Sequence, residues 1–210
     1  MAQFFTLHPD NPQPRLIKQT WQQLQQGAVI ALPTDSCYVL ACALGDKNAL
    51  ARIRQLRGVD DKHHFTLLCR DFAEMATYAR VDDACFRLLK RNTPGQYTFI
   101  LPATKEVPRR LQHPKRSTIG IRLPNHAVVQ GLLNEAQAPL VCSTLILPPD
   151  IEPLMDAWSI REQLEHQIEL ILDAGGCGWQ PTTVIDLTTD TPSLIRLGGG
   201  DPRPFGIEPE

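Results

Sequence analysis

Hydroxyl-bearing and basic side chains recur in this sequence at the ends of short apolar runs. In ALPTDSCYVL, residues 31–40, Thr34, Asp35 and Ser36 separate two runs that otherwise resemble buried strands. A turn accounts for Pro33 and Asp35, because proline fixes φ and aspartate bonds its own backbone, but a turn requires neither flanking hydroxyl. Similar positions later in the chain are occupied by Thr98, Thr118, Arg122, Ser143, Thr144, Thr182 and Arg196.

These polar positions have a functional and a structural interpretation. Hydroxyls and guanidiniums that meet at one edge of an α/β sheet could bind a phosphorylated or carboxylated ligand. Alternatively, each serine or threonine only satisfies the backbone of a turn. The sequence contains no GxxxxGK[ST] loop, no GxSxG elbow and no strand-linked GxGxxG, so these common nucleotide and hydrolase motifs do not decide between the two.

Short apolar runs alternate with amphipathic patterns along the chain, which predicts an α/β fold in which helices flank one sheet. Strands are predicted at 28–32, 38–44, 65–69, 97–101, 118–123, 139–144, 168–172, 182–187 and 193–197, and helices at 14–26, 47–56, 71–78, 82–91, 125–136 and 157–166. The strands at 28–32 and 38–44 have no helix between them, so part of the sheet should be antiparallel. Asp46 and Asp83 are expected to cap the helices that follow them.

The length of 210 residues predicts a single domain, 1–210, with a core at about 14–200 and a surface tail at 201–210. No apolar run approaches the roughly 20 residues of a membrane helix, and the first residues lack the features of a signal peptide. A cytoplasmic protein without membrane contact is therefore expected. The six cysteines form no CxxC pair and the histidines form no HExxH, which favours free, buried cysteines and no metal site.

The formal net charge of -2 hides an uneven distribution of charged residues. Between residues 80 and 122 there are ten Lys or Arg but only three Asp or Glu. An anionic partner, either nucleotide phosphates or RNA, would explain this basic region, and a solvated surface is the alternative. The segment 103–117, ATKEVPRRLQHPKRS, has too many prolines for a regular helix, so its basic side chains are expected in an exposed loop. The RNA-binding candidates are Arg109, Arg110, Lys115 and Arg116.

Six motifs, in order, carry a resemblance to a known family. PTDSCYVL resembles the PTDTxYGL signature of the YrdC/YciO family of threonylcarbamoyl-adenylate synthases, and the chain is most similar to the YciO branch. TPGQYTFIL, STIGIRLP, PLVCSTLI, PTTVIDL and LIRLGG are similar to that family's PGPxTxIL, xxGxRxP, PxxxTSAN, PSTVVDL and xxRxGx. The resemblance implies a single twisted sheet of mixed parallel and antiparallel strands, flanked by helices, with a concave basic cleft.

The resemblance also implies an activity. Family enzymes are nucleotidyltransferases that join L-threonine, bicarbonate and ATP, usually with Mg²⁺, into threonylcarbamoyl-AMP and pyrophosphate for tRNA modification. By this resemblance the threonine end of the cleft would contain Thr34, Tyr38, Arg57, Lys62 and Arg122. The nucleotide end would contain Thr98, Thr118, Ser143, Thr144, Thr182 and Arg196. No tightly bound cofactor and no catalytic residue follow from it.

The sequence departs from the family pattern at several positions, and at two of them a basic or polar side chain is lost. Where the family has KxRPxxKP, this chain has LRGVDDKHHF, so that Arg57 replaces the lysine, Val59 replaces the arginine, and Lys62 or His63 must serve as the later lysine. Ile146 occupies the asparagine position of TSAN, and Val39 the glycine position after the tyrosine. Two hypotheses remain open: a synthase of reduced or altered activity, and a protein that binds double-stranded RNA, tRNA or a nucleotide without efficient catalysis.

Overall fold

The computed structural model describes residues 1–60, 63–113 and 115–208, and these residues form one ten-stranded sheet flanked by helices. The strands are β1 (Gln3–Thr6), β2 (Ile30–Leu32), β3 (Val39–Ala43), β4 (Thr66–Leu68), β5 (Tyr97–Pro102), β6 (Thr118–Arg122), β7 (Leu140–Thr144), β8 (Leu170–Asp173), β9 (Thr183–Asp186) and β10 (Ser193–Arg196). The helices are α1 (Pro14–Gln25), α2 (Lys47–Arg57), α3 (Phe72–Tyr78), α4 (Asp83–Asn92), α5 (Ala127–Ala136) and α6 (Ala157–Leu164).

The strand order is β1-β8-β2-β3-β7-β4-β6-β5-β9-β10, with parallel and antiparallel neighbours in the same sheet. Strands β2 and β3 pair antiparallel, as their short connection predicts. Parallel pairs include β4 with β6 and β5 with β9. The predicted α/β class, the mixed sheet and every predicted strand and helix are confirmed, whereas strand β1 was not predicted.

Aspartates cap several of the helices. Asp46 accepts hydrogen bonds from the amides of Asn48 at 3.0 Å and Ala49 at 2.9 Å, which confirms the predicted cap of α2. The predicted cap at Asp83 is wrong by one residue. Asp82 accepts from the amide of Cys85 at 2.7 Å, because a capping oxygen bonds the third residue beyond it, and Asp83 is already the first helical residue.

The sheet separates two hydrophobic clusters, one on each face. Helices α2, α3, α4 and α6 contribute Ile53, Met75, Leu89 and Ile160 to the first cluster, which also contains Phe99 and Ile121 of the sheet. Helices α1 and α5 pack against the other face, where they cover β8, β2, β3 and β7 through the side chains Ile17, Leu24, Val128 and Leu132. On this second face the apolar cluster ends near Leu68 and Cys142, and polar side chains take its place over β6, β5 and β9.

The carboxyl-terminal segment packs onto this framework. A short 3₁₀ turn, Arg203–Phe205, places Phe205 in the core, where its ring lies 5.3 Å from the ring of Tyr97 and 5.6 Å from that of Phe99. The described part of the predicted tail is therefore anchored beneath β5. All six cysteines carry free thiols. Within the described part of the chain, no helix combines the length and the apolar character needed to span a membrane.

Candidate functional site

A cavity of about 720 Å³ lies on the same sheet face as α1 and α5, over the strands that these two helices do not cover. Successive residues of a strand point to opposite faces, so only alternate positions contribute to its floor. Accordingly the floor contains Thr98 and Ile100 of β5, Thr118 and Arg122 of β6, Val184 and Asp186 of β9, Cys142 and Thr144 of β7, and Thr66 of β4. The walls contain Val39, Arg57, Val59, Asp60, His63, His64, His113, Arg116, Ser143, Ile146, Thr182, Ile195 and Arg196.

Gly120 lies between Thr118 and Arg122 on the cavity side of β6. A Cβ atom at this position would come within 3.0 Å of Thr66 Oγ1 and 3.4 Å of Thr98 Cγ2. The absence of a side chain there lets the neighbouring strands place their threonines across the floor. Gly120 therefore leaves room for Thr66 and Thr98, which both line the cavity.

Threonine hydroxyls form the polar part of the floor. Thr98 Oγ1 and Thr182 Oγ1 lie 2.7 Å apart and share a hydrogen bond. Thr118 Oγ1 is buried and has no hydrogen-bond partner among the described residues. Because an unpaired buried hydroxyl is costly, Thr118 is a ready partner for a polar group that enters the cavity.

The residues that interrupt the core at 34–36 hold Arg122 in place. Only 4% of the Arg122 side chain is exposed, and its Nη2 donates to Thr34 Oγ1 at 3.0 Å and to Asp35 Oδ1. Asp35 also accepts from the amide of Asn125 at 3.1 Å, and Thr34 donates to the carbonyl of Cys37 at 2.6 Å. Arg122 Nε is buried without a described partner. The arginine is thus fixed on one side and has a donor left for a ligand.

Tyr38 lies close to Thr34 in the sequence but contacts a different segment, the loop that contains Gly175. Its side chain is fully buried, and its hydroxyl donates to the carbonyl of Gly175 at 3.4 Å. Burial raises the pKa of the Tyr38 phenol, so the group stays neutral. Tyr38 therefore contacts the backbone at Gly175 and is not part of the cavity lining, whereas Thr34 bonds Arg122, which lines the cavity.

Arg57 is engaged with β7 and the residues that follow it. Its Nε donates to Ser143 Oγ at 3.1 Å, and its Nη1 donates to the carbonyl of Ile146. Burial lowers the pKa of the Arg57 guanidinium. The side chains of Val59 and Ile146, at the two departures from the family pattern, both contact the cavity. Lys62 lies outside the described residues.

His63 approaches the same serine from the opposite side. Its Nε2 lies 3.0 Å from Ser143 Oγ, and its ring packs edge-on against Phe65 at 5.2 Å. Burial, reinforced by the nearby charge of Arg57, lowers the pKa of His63 to about 4. The imidazole is therefore neutral at pH 7.

Arg196 contacts Thr182, another of the residues that the sequence predicts for a nucleotide end. Its Nη2 donates to the carbonyl of Thr182 at 2.9 Å, and its Nε donates to the same oxygen at 3.3 Å. Because Thr182 in turn bonds Thr98, the guanidinium, the two hydroxyls and strands β5, β9 and β10 form one connected unit. This unit lies at the opposite side of the floor from β7.

Two contacts join the basic segment to the rim. His113 stacks on His64 with ring centroids 4.9 Å apart, and Arg116 Nη1 lies 3.9 Å from Asp186 Oδ2. The segment forms a 3₁₀ turn at Arg109–Leu111 in place of a regular helix. Arg109, Arg110, Lys115 and Arg116 are all exposed, and of these four Arg116 contacts the cavity.

Sequence reasoning missed several of the lining residues. His64 and His113 meet only in the folded chain, and neither belongs to a motif with a recognisable spacing. Thr66 and Asp186 lie inside runs that indicate ordinary strands, in FTLLC and TTVIDL. Alternation of residues on a strand is the signal that could have found them, once one cavity-facing residue of each strand was known.

Comparison with known proteins extends this picture. Residues 22–198 match the family model named for Sua5, YciO and YrdC, whose description reads "Telomere recombination". The chain belongs to the Sua5/YciO/YrdC family. It is similar to the uncharacterised protein YciO of Escherichia coli K12, at 51% identity over 98% of this chain and all of that protein. The crystal structure of E. coli YciO superposes with a TM-score of 0.94.

More distant members of the family have assigned activities. The human threonylcarbamoyl-AMP synthase is 31% identical over 84% of this chain and 64% of its own length. The crystal structure of Pyrococcus abyssi Sua5 complexed with L-threonine has a TM-score of 0.87 at 25% identity, over 94% of this chain and 58% of that one. Members of the family thus share this sheet, and one of them is known with L-threonine bound.

Proposed function

We propose that this protein is a threonylcarbamoyl-AMP synthase-like nucleotidyltransferase of reduced or altered activity, which acts in the cytoplasm and is linked to tRNA threonylcarbamoyladenosine modification. Its substrates would be L-threonine, bicarbonate and ATP, and its products threonylcarbamoyl-AMP and pyrophosphate. The threonine amine takes up carbon dioxide, and the resulting carbamate attacks the α-phosphate. Such a reaction requires chiefly that two ligands be positioned side by side and that their negative charge be stabilised.

One observation carries the proposal: arginines and threonine hydroxyls from five strands converge on a single cavity. Arg122, with Thr34 behind it, marks one side, and Arg196, with Thr182 and Thr98, marks the other. A carboxylate at Arg122 and a nucleotide phosphate near Arg196 would bring the carbamate and the α-phosphate together over the floor. The cavity volume of about 720 Å³ lies in the range of small-molecule sites.

Magnesium would enter with the nucleotide. Mg²⁺ in such enzymes is held largely by substrate phosphates and one or two carboxylates. Among the described residues, Asp186 and Asp60 are the carboxylates in the cavity lining, and Asp186 Oδ1 already accepts from the hydroxyl and amide of Thr188 at 2.6 and 2.9 Å. In the part of the chain that the structure describes, no three His, Cys, Asp or Glu side chains form a group that could hold a metal ion.

The departures support the reduced or altered character of the activity. Val59 and Ile146 place apolar side chains in the cavity where the family pattern has an arginine and an asparagine. Each missing group could remove about 1.5 to 3 kcal/mol of charge-assisted hydrogen bonding, enough to slow turnover many fold. Arg57 compensates little, since its Nε and Nη1 already bond Ser143 and Ile146.

The proposal is tested by incubating the purified protein with ATP, L-threonine, bicarbonate and Mg²⁺ and measuring pyrophosphate release. Release that requires both threonine and bicarbonate, and that is lost in Arg196→Ala, is the expected result. The exposed Arg203, paired with Asp201 outside the cavity, provides a matched control through Arg203→Ala. Pyrophosphate release that is independent of threonine, or equal in both variants, would contradict the proposal.

A second candidate function is binding of tRNA or double-stranded RNA. It is favoured by the exposed basic residues Arg109, Arg110, Lys115 and Arg116, of which Arg116 lines the cavity. If these side chains contact an RNA backbone, affinity should fall steeply with salt, because neutralised phosphates release counterions. The triple variant Arg109→Ala, Arg110→Ala, Arg116→Ala should bind more weakly and with a shallower salt slope, at unchanged base preference. Equal binding by parent and variant at all salt concentrations would exclude this function.

A further inference from the structure

Ser143 lies between a cationic donor and a neutral imidazole at the cavity wall. A guanidinium can only donate, so the 3.1 Å contact makes Ser143 Oγ the acceptor of the Arg57 Nε proton. The hydroxyl proton is then available to His63 Nε2, 3.0 Å away. Ser143 is buried and contributes to the wall of the cavity, where its oxygen contacts both partners.

The surroundings of His63 keep the imidazole in its accepting form. Arg57 and Arg54 of α2 and the adjacent His64 disfavour its protonation, and Asp60 acts in the opposite direction with a smaller effect. With burial as the largest cause, the pKa of His63 falls to about 4. The ring is a neutral acceptor throughout the physiological range, with its own proton on Nδ1 when Nε2 accepts from Ser143.

We propose that Ser143 is a nucleophile, with His63 as its general base, and that the pair hydrolyses activated acyl- or carbamoyl-adenylates bound in the cavity. The proposal rests on the proposed function for the adenylate class of ligand. A hydroxyl within hydrogen-bond reach of a base is the core of an activated nucleophile. Arg57 donates to the same hydroxyl oxygen and would stabilise the negative charge that develops on it.

The reaction divides into two half-reactions. Ser143 Oγ attacks the carbonyl carbon, its proton passes to His63 Nε2, and the bond from the carbonyl carbon to the phosphate oxygen breaks to release AMP. The proton leaves His63 for solvent, because an imidazolium with a pKa of about 4 releases its proton at neutral pH. Water then attacks the acyl-serine ester, His63 takes one of its protons and returns a proton to Ser143 Oγ. The net reaction converts the adenylate and water into the free acid and AMP.

The weak basicity of His63 restricts the class of substrate. A base with a pKa well below the working pH gives little driving force for proton removal, so stable esters and amides would react slowly. A mixed anhydride with AMP has a good leaving group and needs little assistance. The site is therefore suited to acyl adenylates and carbamoyl adenylates, which are the products that a synthase of this family would make or bind.

Acetyl-adenylate is the probe for this activity, because its hydrolysis does not depend on adenylate synthesis. AMP release from acetyl-adenylate is compared among the parent, Ser143→Ala and His63→Asn. We expect each variant to lose at least tenfold of the enzyme-dependent rate, and the acid limb of the parent pH profile to lie near pH 4 instead of 6.5. The matched controls Ser193→Ala and His166→Asn, at exposed residues outside the cavity, should retain the parent rate.

Direct detection of the intermediate keeps the test independent of folding defects. In quenched parent enzyme, mass spectrometry should find one acetyl group on the peptide that contains Ser143, and Ser143→Cys should accumulate the corresponding thioester. Parent-like hydrolysis by Ser143→Ala would overturn the proposal. So would a parent that binds AMP in calorimetry without accelerating acetyl-adenylate hydrolysis, a result that leaves the proposed synthase function standing. Absence of AMP binding would refute the nucleotide site itself and the hydrolysis with it.

Discussion

Arg122 and Arg116 both contact the cavity, but they belong to regions with different energetics. Arg122 lies in the floor with 4% of its side chain exposed, and it pairs with a carboxylate that is 9% exposed. Arg116 lies in the rim with 69% of its side chain exposed, and its distance to Asp186 is 3.9 Å. Removing a partner from a buried pair strands a charge in a poorly solvated site, whereas an exposed pair is screened by water and salt. The floor should therefore determine stability and ligand geometry together, while the rim should affect mainly encounter with charged partners.

The strongest test of this difference is Asp35→Ala. Loss of the carboxylate leaves the Arg122 guanidinium buried without its ion-pair partner, which should lower the free energy of unfolding by about 3 to 5 kcal/mol. Urea denaturation measures this loss. Asp201→Ala removes the carboxylate of the exposed pair with Arg203 and should cost less than about 1 kcal/mol. Equal losses in the two variants would mean that the floor and the surface do not differ in the way proposed.

Gly120→Ala probes the floor without altering any charge. The new methyl group would meet Thr66 Oγ1 at 3.0 Å and the carbonyl of Phe65 at 3.3 Å, so the neighbouring strands must shift. We expect a loss of about 1 to 3 kcal/mol in unfolding free energy together with weaker nucleotide binding. Gly176→Ala, where a Cβ atom has open space, is the control that should be near neutral. A stable Gly120→Ala variant with parent affinity would show that the floor is not tightly constrained there.

The walls can be tested by restoring the family residues. Val59→Arg and Ile146→Asn together add a guanidinium and an amide to the cavity, and pyrophosphate release in the presence of threonine and bicarbonate should rise about tenfold, equivalent to about 1.4 kcal/mol in the barrier. Thermal unfolding checks that the double variant remains folded. No gain in a folded variant would show that these two positions do not limit the activity.

His63 provides a pH-dependent comparison. The pKa of His63 is about 4 in the folded chain and near 6.5 when unfolded, so between these values the unfolded chain binds more protons. The contribution of His63 to stability is therefore complete above about pH 6.5 and is lost as the pH falls toward 4. His63→Asn should show a shallower decline of unfolding free energy than the parent over this window in urea titrations. Parallel declines would indicate that the imidazole titrates normally.

The smallest effect is expected at the rim. Arg116→Ala should change the unfolding free energy by less than about 0.5 kcal/mol, and any change should disappear at high salt. Chemical denaturation at low and high ionic strength measures both. A loss of several kcal/mol that persists in salt would mean that the contact with Asp186 behaves as a buried pair.

Features that depend on local interactions were predicted well from the sequence, and features that depend on contacts between distant segments were not. Periodicity and capping are local, so the strands and helices were predicted closely, with Asp83 in place of Asp82 as a one-residue error. Strand β1 was missed because its four residues, QFFT, are too few to show a pattern, and it depends on pairing with β8 more than 160 residues away. The resemblance to family motifs predicted Arg122 and Arg196 as site residues, and both line the same cavity.

Contacts that depend on the packing of distant segments could not be predicted from the sequence. Asp35 and Arg122 are 87 residues apart, and Ser143 and His63 are 80 apart, and no spacing rule connects either pair. The position of Tyr38 beneath Gly175 has the same origin, since a tyrosine after the PTD motif could face either side of the layer. These relations are set by strand order, which places β3, β7, β4 and β6 side by side.

The alternation of side chains across the central strands has an evolutionary and practical consequence. On β5, Thr98 and Ile100 face the cavity, whereas Phe99 and Leu101 belong to the opposite hydrophobic cluster. Within β5, the residues that would contact a ligand and the residues that pack the core are therefore encoded by alternating codons. A combinatorial library confined to the cavity-facing positions of β5 and β9 would sample new specificities while Gly120, Arg122 and the opposite hydrophobic cluster stay constant. Divergence within such a family can proceed by the same route, with binding properties drifting on a backbone that selection for stability holds unchanged.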